Sequence, residues 1–167
     1  NPTEEQTVRA ATAGDQAAFA QLVERYRSEL QVHAYRMLGS LEDAQDALQE
    51  AFLRAWTGRS TYRAESTFRA WLYRITTNAC LDAIDRRTGR RGGDVHIGVG
   101  PYPDELIDAT SVAGPEARYA ARESISLAFM AALQVLPPRQ RAVLILRDVL
   151  TWRAARVLGA TSRLVPD

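Results

Sequence analysis

The stretch SLEDAQDALQEAFLRAWTG, from Ser40 to Gly58, has the start, the faces and the end of an amphipathic helix. Ser40 with Asp43 three residues later is a capping-box pattern, and Gly58 suits a helix end. Apolar residues recur at three- and four-residue steps and predict a buried stripe of Ala44, Ala47, Leu48, Ala51, Phe52, Ala55 and Trp56. The other side carries a polar line of Asp43, Asp46 and Glu50, with Gln49 beside it.

Similar patterns predict helices on both sides of this stretch. Asp15 can cap a long amphipathic helix that ends at Gly39, with apolar residues at Phe19, Leu22, Val23, Tyr26, Leu30, Ala34, Met37 and Leu38. A third helix is predicted from near Ser66 toward Arg87, with Phe68, Trp71, Leu72, Ile75, Ala79, Ala83 and Ile84. RYAARESISLAFMAALQVL predicts another helix, and a new one starts at Pro137 and Pro138. No strand pattern occurs, so the predicted class is all-α.

The composition of the chain argues against several classes of protein. A chain of 167 residues that is 46% apolar can bury a core in one domain or two small ones. The single cysteine, Cys80, excludes an internal disulfide, and the isolated His33 and His96 lack zinc-site spacing. No apolar run approaches a membrane span and no leader pattern is present, so we expect a cytoplasmic protein with no membrane contact and no cofactor.

Charge is distributed unevenly along the chain. All 21 basic residues are arginine, which a GC-rich genome could by itself explain, so their positions matter more than their number. Residues 1–50 have four arginines against nine carboxylates, a net charge of −5, and residues 54–91 have nine against three, a net charge of +6. Residues 92–117 carry five carboxylates and no arginine among many glycines and prolines. We therefore predict units at 1–91 and 118–167, joined by an acidic linker at 92–117.

The basic segment interleaves arginines with aromatic residues and an amide. Cations neutralise phosphates, aromatic faces stack on unpaired bases, and an amide reads a base edge. A core role for Trp71 and a solvated position for Arg69 are the alternatives. The candidate DNA-binding residues are Arg59, Tyr62, Arg63, Arg69, Trp71, Arg74, Asn78, Arg86 and Arg87.

Three blocks, in order, carry a resemblance to a known family. AFAQLVERYRSELQVHAYRMLGSLEDAQDALQEAFLRAW and FRAWLYRITTNACLDAIDRR resemble region 2 of bacterial extracytoplasmic-function sigma factors. LPPRQRAVLILRDVLTW is similar to the start of region 4, where L-P-x-x-x-R precedes a helix-turn-helix. The resemblance implies a helical region 2 bundle, a flexible acidic linker and a small region 4. It also implies a transcription initiation factor, not an enzyme, that binds core RNA polymerase and recognises and melts the minus-10 element.

The family also suggests roles for individual residues. The polymerase-binding positions on the β′ clamp coiled coil would be Asp43, Asp46, Gln49, Glu50 and Leu53. Region 4 would contact the β flap, and the segment matching residues 59–78 would hold a flipped base of the single-stranded minus-10 non-template strand. For Asp43 alone, a solvated helix start is the alternative. The linker is either an acidic strand that passes through polymerase or a tether.

Regulators are also implied by the resemblance. Sigma factors of this group can be controlled by an anti-sigma factor or an appended domain, and PYPDELIDA resembles linkers of the subgroup with a SnoaL-like C-terminal domain. We expect no such domain within these 167 residues.

The C-terminal segment departs from the family pattern. TWRAARVLGATSRLVPD reaches Gly159 about three residues early, and too few residues follow for a recognition helix. Residues missing after Asp167, a truncation, or a protein that does not read a minus-35 element all remain open. Two other classes also remain: a helical DNA-binding regulator that acts without polymerase, and an adaptor that binds only protein.

Overall fold

The structure is a computed structural model that describes residues 3–91, 99–100, 102–103, 105–106, 115–116, 119, 122 and 126–150. These residues form helices and connecting segments and include no strand, which confirms the all-α class. A short 3-10 helix spans Arg59–Thr61. The α-helices are α1 (Glu4–Thr12), α2 (Gln16–Leu38), α3 (Leu41–Thr57), α4 (Phe68–Arg91), α5 (Leu127–Val135) and α6 (Pro138–Leu150).

The ends of α2 and α3 follow the predicted capping residues. Oδ1 of Asp15 accepts hydrogen bonds from the amides of Ala17 at 2.9 Å and Ala18 at 3.0 Å. Gly39 ends α2 with φ of 73°, a left-handed conformation that glycine adopts at little cost. Oγ of Ser40 accepts from the amide of Asp43 at 3.3 Å. Side-chain hydrogen bonds of Asp15 and Ser40 therefore fix where α2 and α3 begin, and the left-handed Gly39 fixes where α2 ends.

Three helix starts differ from the sequence prediction, two of them in the N-terminal half of the chain. Helix α1 was not predicted, although Thr3 and Gln6 form a reciprocal capping box at its start and Val8 and Ala11 are buried. Helix α4 begins at Phe68, later than the predicted Ser66, because Oγ1 of Thr67 accepts the Ala70 amide at 3.2 Å. In both places a threonine cap decides the boundary. Helix α5 also begins later than the sequence predicts, at Leu127, because Oγ of Ser126 accepts the Phe129 amide at 3.4 Å.

The core lies between α2, α3 and α4, and α5 and α6 pack against the same helices. The predicted apolar stripe of α2 is buried from Phe19 to Leu38. Leu146 and Leu150 of α6 join the cluster around Leu72, and Met130 and Leu133 of α5 join the cluster around Leu38. The C-terminal helices are therefore packed on the N-terminal bundle, which a division of the chain by composition did not predict.

Part of the linker also packs on the bundle. The Gly100 amide donates to the Gly39 carbonyl at 3.1 Å, and the Tyr35 hydroxyl donates to the Gly100 carbonyl. Tyr102 is buried with its ring centroid 4.9 Å from that of Tyr35. A tether without contacts does not describe residues 99–100 and 102–103, because Tyr102 supplies aromatic surface to bury.

Two further observations concern whole segments. Among the described helices, none combines the length and apolar character that crossing a bilayer requires. Residues 151–167, in which the sequence predicts an incomplete helix-turn-helix without a recognition helix, lie outside the described residues.

Candidate functional site

The predicted polymerase-binding side of α3 presents an exposed apolar residue among polar ones. Asp46 and Gln49 are exposed, and Leu53 is 62% exposed. Since the buried stripe of α3 faces the core, Leu53 lies on the outward side of the helix, as its spacing indicates. The structure thus brings three of the five predicted polymerase-binding residues to one open face.

Beside Leu53 lies a groove of about 550 Å³ between α2 and α3. Phe52 and Trp56 were predicted as core residues, but both are only partly buried and line this groove. The Trp56 ring packs edge-on against Phe19 with centroids 5.1 Å apart, and the Arg27 guanidinium lies 5.2 Å from the centre of the Phe52 ring. Leu53 therefore belongs to a larger apolar surface that a partner could cover.

The two other residues of the acidic line are already paired with arginines. Oδ2 of Asp43 lies 3.1 Å from Nη1 of Arg87. Oε1 of Glu50 accepts from Nε of Arg54 at 2.9 Å, and Nη1 of Arg54 reaches Oδ2 of Asp82 on α4 at 2.6 Å. The Asp43–Arg87 and Arg54–Asp82 pairs join α3 to α4, and Glu50 holds Arg54 from within α3.

The segment between α3 and α4 holds the first candidate DNA-binding residues. The Arg59 guanidinium lies 4.0 Å from the centre of the Trp56 ring and donates to the Trp56 carbonyl at 2.7 Å. The Tyr62 hydroxyl donates to the Ser66 carbonyl at 2.8 Å. Arg63 is exposed. Of these three candidates, only Arg63 is both exposed and without a hydrogen bond among the described residues.

Tyr62 belongs to an aromatic cluster with two residues of α4. Its ring centroid lies 5.5 Å from those of Phe68 and Trp71, which are 5.3 Å from each other. Phe68 and Trp71 are buried, whereas Tyr62 keeps part of its surface open. Trp71 therefore occupies a core position, and Tyr62 presents the accessible edge of the cluster.

Arg69 forms the most extensive ion pair of the described residues. Its Nε lies 3.1 Å and 3.0 Å from the two carboxylate oxygens of Glu29, and its Nη2 lies 2.7 Å from Oε2. The Tyr73 hydroxyl also donates to Oε2 of Glu29 at 3.0 Å, and Tyr73 is buried. The hydrogen bond to Glu29 raises the pKa of Arg69, and burial followed by the Glu29 charge raises the pKa of Tyr73. Sequence reasoning missed Glu29, whose partners lie forty or more positions away.

The remaining candidates on α4 differ in exposure. Arg74 and Asn78 are partly buried, and neither side chain has a hydrogen bond to another described residue. Arg86 is exposed. Arg87 is held by Asp43 and also donates to the Leu38 carbonyl at 3.4 Å. Arg74 and Asn78, four residues apart on one helix face, thus have polar atoms that form no hydrogen bond with another described residue.

Two titratable groups are buried between the helices. The Nε2 atom of His33 lies 2.8 Å from Oγ1 of Thr77, and burial, with a smaller effect of Arg36, lowers the pKa of His33 to about 3. Burial raises the pKa of Cys80 to about 12. No group of residues that could hold a metal ion occurs in the described part of the chain.

The chain matches the family model described as sigma-70 region 2 over residues 22–90. It is 45% identical to the ECF RNA polymerase sigma factor SigG of Mycobacterium tuberculosis over 159 aligned residues, covering 85% of this chain and 42% of that protein. SigM of the same species is 32% identical, covering 93% of this chain and 74% of SigM. A solved structure titled "Structure of CnrH in complex with the cytosolic domain of CnrY" aligns with a TM-score of 0.45 and 25% identity over 95% of this chain and 89% of that chain.

The relatives differ in length from this chain. It spans less than half of the length of SigG. It covers 86% of the RNA polymerase sigma factor NccH of Alcaligenes xylosoxydans xylosoxydans, to which it is 33% identical over 97% of its own length. Similarity at this level extends over nearly the whole chain and over most of SigM and NccH. The chain belongs to the extracytoplasmic-function RNA polymerase sigma factors.

Proposed function

We propose that this chain binds core RNA polymerase and directs it to promoters by recognising and melting the minus-10 element. The observation that carries the proposal is Leu53, which is 62% exposed beside an apolar groove on a helix inside the matched region 2. Covering exposed apolar surface of this kind with a partner lowers the free energy, because the surface is removed from water. A bare helix face without the groove would support a docking role much less.

The exposed polar residues beside Leu53 suit a basic partner helix such as the proposed β′ clamp coiled coil. Asp46 is exposed, and Gln49 next to it is uncharged but polar. Charges at the edge of an interface mainly direct encounter and orientation, whereas a buried apolar anchor contributes affinity. In the proposed complex Leu53 is therefore the anchor and Asp46 aligns the partner.

The promoter-binding surface in this proposal follows the aromatic cluster and α4. The open edge of Tyr62 offers a stacking surface, the exposed Arg63 offers a phosphate contact, and Asn78 offers an amide for a base edge. Unstacking a base costs a few kcal/mol, so stacking and phosphate contacts must act together. Trp71 would then support Tyr62 from the core instead of contacting DNA directly.

In this function, residues 1–91 form region 2, residues 92–117 form the linker and residues 118–167 form region 4. Region 4 then binds the β flap of polymerase. An anti-sigma factor would be a further partner. In this scheme the regions 2 and 4 act on polymerase and DNA together, and neither performs catalysis.

Reconstitution with bacterial core RNA polymerase tests the proposal. The wild-type chain should form a stable complex, measured by fluorescence anisotropy of labelled protein. Leu53→Asp should abolish binding with an unchanged thermal midpoint, because the exposed side chain contributes little to the core. Leu53→Met, which keeps an apolar contact, should bind nearly normally.

Two results would contradict the proposal. Normal binding by Leu53→Asp would place the docking face elsewhere. Failure of the wild-type chain to bind polymerase, with DNA binding retained, would favour the regulator that acts without polymerase.

A further inference from the structure

Polar side chains connect α4 to α2 along three successive turns. Arg69, Tyr73 and Thr77 follow one another at four-residue steps, so they lie on one face of α4. Glu29 and His33, also four residues apart, contact this face from α2. Glu29 accepts from Arg69 and Tyr73, and Nε2 of His33 lies 2.8 Å from Oγ1 of Thr77. Each of these turns of α4 is therefore hydrogen-bonded to α2.

Glu29 is the shared acceptor for the first two turns. Its Oε2 lies 3.0 Å from Nε of Arg69, 2.7 Å from Nη2 of Arg69 and 3.0 Å from the Tyr73 hydroxyl. The Arg69 guanidinium also lies 5.0 Å from the centre of the Tyr73 ring. The Glu29 side chain is 29% exposed, whereas Glu24, in an ion pair with Arg27 on the same helix, is 73% exposed. Glu29 is therefore a partly enclosed junction between α2 and α4, unlike the solvated Glu24.

The residues proposed to contact the promoter strand lie on another side of α4. An α-helix turns by about 100° per residue, so Asn78, nine residues after Arg69, lies about half a turn around the helix from it. Arg74 precedes Asn78 by four residues and lies on the same side. The face that Glu29 holds is thus roughly opposite the proposed DNA-binding face, and a rotation of α4 moves both faces together.

The hydrogen bonds of Glu29 restrict this rotation more sharply than apolar packing does. Hydrophobic burial has no preferred direction, so Phe68 and Leu72 can stay buried through a small rotation. Rotating a helix by about 20° moves the tip of a side chain by about 2 Å, which is enough to break a hydrogen bond to a base edge. Recognition side chains need supporting hydrogen bonds that hold them within about 0.5 Å of the productive position. The contacts of Glu29 can supply that support to Asn78.

We propose that Glu29 is a positioning residue for promoter recognition: through Arg69 and Tyr73 it fixes the rotation of α4 and thereby the place of Asn78 at a base edge. Arg69 then acts through Glu29 and does not bind a phosphate. This inference rests on the proposed recognition of the minus-10 strand by α4. It adds to that function residues that control its specificity without touching DNA.

Glu29→Gln tests the proposal, because a positioning role and a purely electrostatic role predict opposite signs. The preferred strand is first selected from a randomised pool by the wild-type chain bound to core polymerase. Fluorescence anisotropy then gives the affinities of each polymerase-bound variant for this strand and for a scrambled one. Loss of positioning should lower the ratio of the two affinities at least ~5-fold, the lower end of what one base contact contributes. The scrambled strand should bind no more weakly than to the wild type, since a negative charge is removed.

Matched variants separate positioning from charge and from stability. Glu24→Gln removes the same charge from an exposed pair of α2 and should leave the ratio unchanged. Tyr73→Phe removes no charge, only the hydroxyl that donates to Glu29, and should also lower the ratio. Tyr26→Phe removes a hydroxyl that donates to Glu4 of α1, so it should destabilise the chain without changing the ratio. Circular dichroism confirms that each variant is folded.

A double variant tests whether Glu29 acts through Asn78. Glu29→Gln should lower the ratio in the wild-type chain and have no further effect on it in Asn78→Ala, since the base contact is already lost. Salt dependence tests Arg69. Arg69→Gln should leave the slope of log K against log salt unchanged, whereas Arg74→Gln should make it shallower by about 0.7, the value for one phosphate contact on a single strand.

Several results would overturn the proposal. Equally tighter binding of both strands by Glu29→Gln would mean that Arg69 is a phosphate contact that Glu29 masks. Equal weakening of both strands, or an undiminished effect of Glu29→Gln in Asn78→Ala, would leave Glu29 with a role in stability alone. A preference for the selected strand that survives Glu29→Gln and Tyr73→Phe would contradict the positioning role but not the proposed function. A wild-type complex that prefers no strand would contradict both.

Discussion

Arg87 near the end of α4 and Asp43 in the first turn of α3 form an ion pair, with Nη1 and Oδ2 3.1 Å apart. The sequence had assigned these two residues to different partners, Asp43 to polymerase and Arg87 to promoter DNA. Their contact means that a cation from polymerase must compete with Arg87, and a phosphate must compete with Asp43. The two proposed surfaces therefore meet at this pair.

We predict that Asp43→Asn reduces polymerase affinity less than Asp46→Asn does. Arg87 already neutralises Asp43, whereas Asp46 is exposed and has no ion pair among the described residues. The loss for Asp43→Asn should be less than about 1 kcal/mol, as for most exposed pairs. Anisotropy titrations with core polymerase at two salt concentrations measure both variants. A larger loss for Asp43→Asn would show that polymerase displaces Arg87 and takes over the carboxylate.

We predict that Glu29→Gln destabilises the fold by about 1–2 kcal/mol. The carboxylate accepts from Arg69 and Tyr73, and charge-assisted hydrogen bonds are stronger than neutral ones, although the partial exposure of the pair reduces their contribution. Urea unfolding measures the change. Glu24→Gln on the same helix is the control, since its pair with Arg27 is largely exposed and should contribute less than about 0.5 kcal/mol. Equal effects of the two variants would contradict a special role for Glu29.

We predict that Asn78 and Arg74 contribute to DNA binding in different ways. Asn78→Ala should weaken binding of the preferred minus-10 single strand by about 1–3 kcal/mol and of a scrambled strand much less, because an amide reads a base edge. Arg74→Ala should weaken both strands and reduce the salt dependence. Anisotropy with labelled oligonucleotides and polymerase-bound protein distinguishes them. Equal losses on both strands for Asn78→Ala would exclude base recognition.

We predict that His33 makes the fold less stable in acid. Its pKa is lowered from 6.5 to about 3, so below pH 6.5 the unfolded chain takes up a proton that the folded chain does not. The free energy of unfolding should therefore fall as pH decreases through this window, and by pH 5 the loss from this residue should reach about 2 kcal/mol.

Urea unfolding at pH 7.5 and pH 5 checks this. His33→Gln, which keeps a hydrogen-bonding group for Thr77, should show a smaller difference between the two pH values than the wild type. His96→Gln, which changes the other histidine of the chain, should behave like the wild type. An identical pH dependence in His33→Gln would show that carboxylates alone cause the acid sensitivity.

The sequence by itself determined the all-α class, the ends of α2 and α3, and most of the buried stripe of α2. These features depend on contacts within a few residues: Asp15 accepts from the next turn, Gly39 adopts a left-handed conformation, and apolar residues repeat with the helix period. The outward position of Leu53 followed from the same periodicity. The helix α1 had a comparable local signal at Thr3, and it was overlooked, not absent.

Only the tertiary structure decided which polar and aromatic side chains are free to bind a partner. The sequence predicts that Arg69 contacts DNA, but its guanidinium forms an ion pair with Glu29, which lies forty positions earlier in the chain. Nε of the buried Arg36 has no hydrogen-bond partner, whereas the guanidinium of the buried Arg141 donates to four carbonyls that helix packing brings to it. Pairings over such distances produce no periodic pattern in the sequence, since they depend on how whole helices pack.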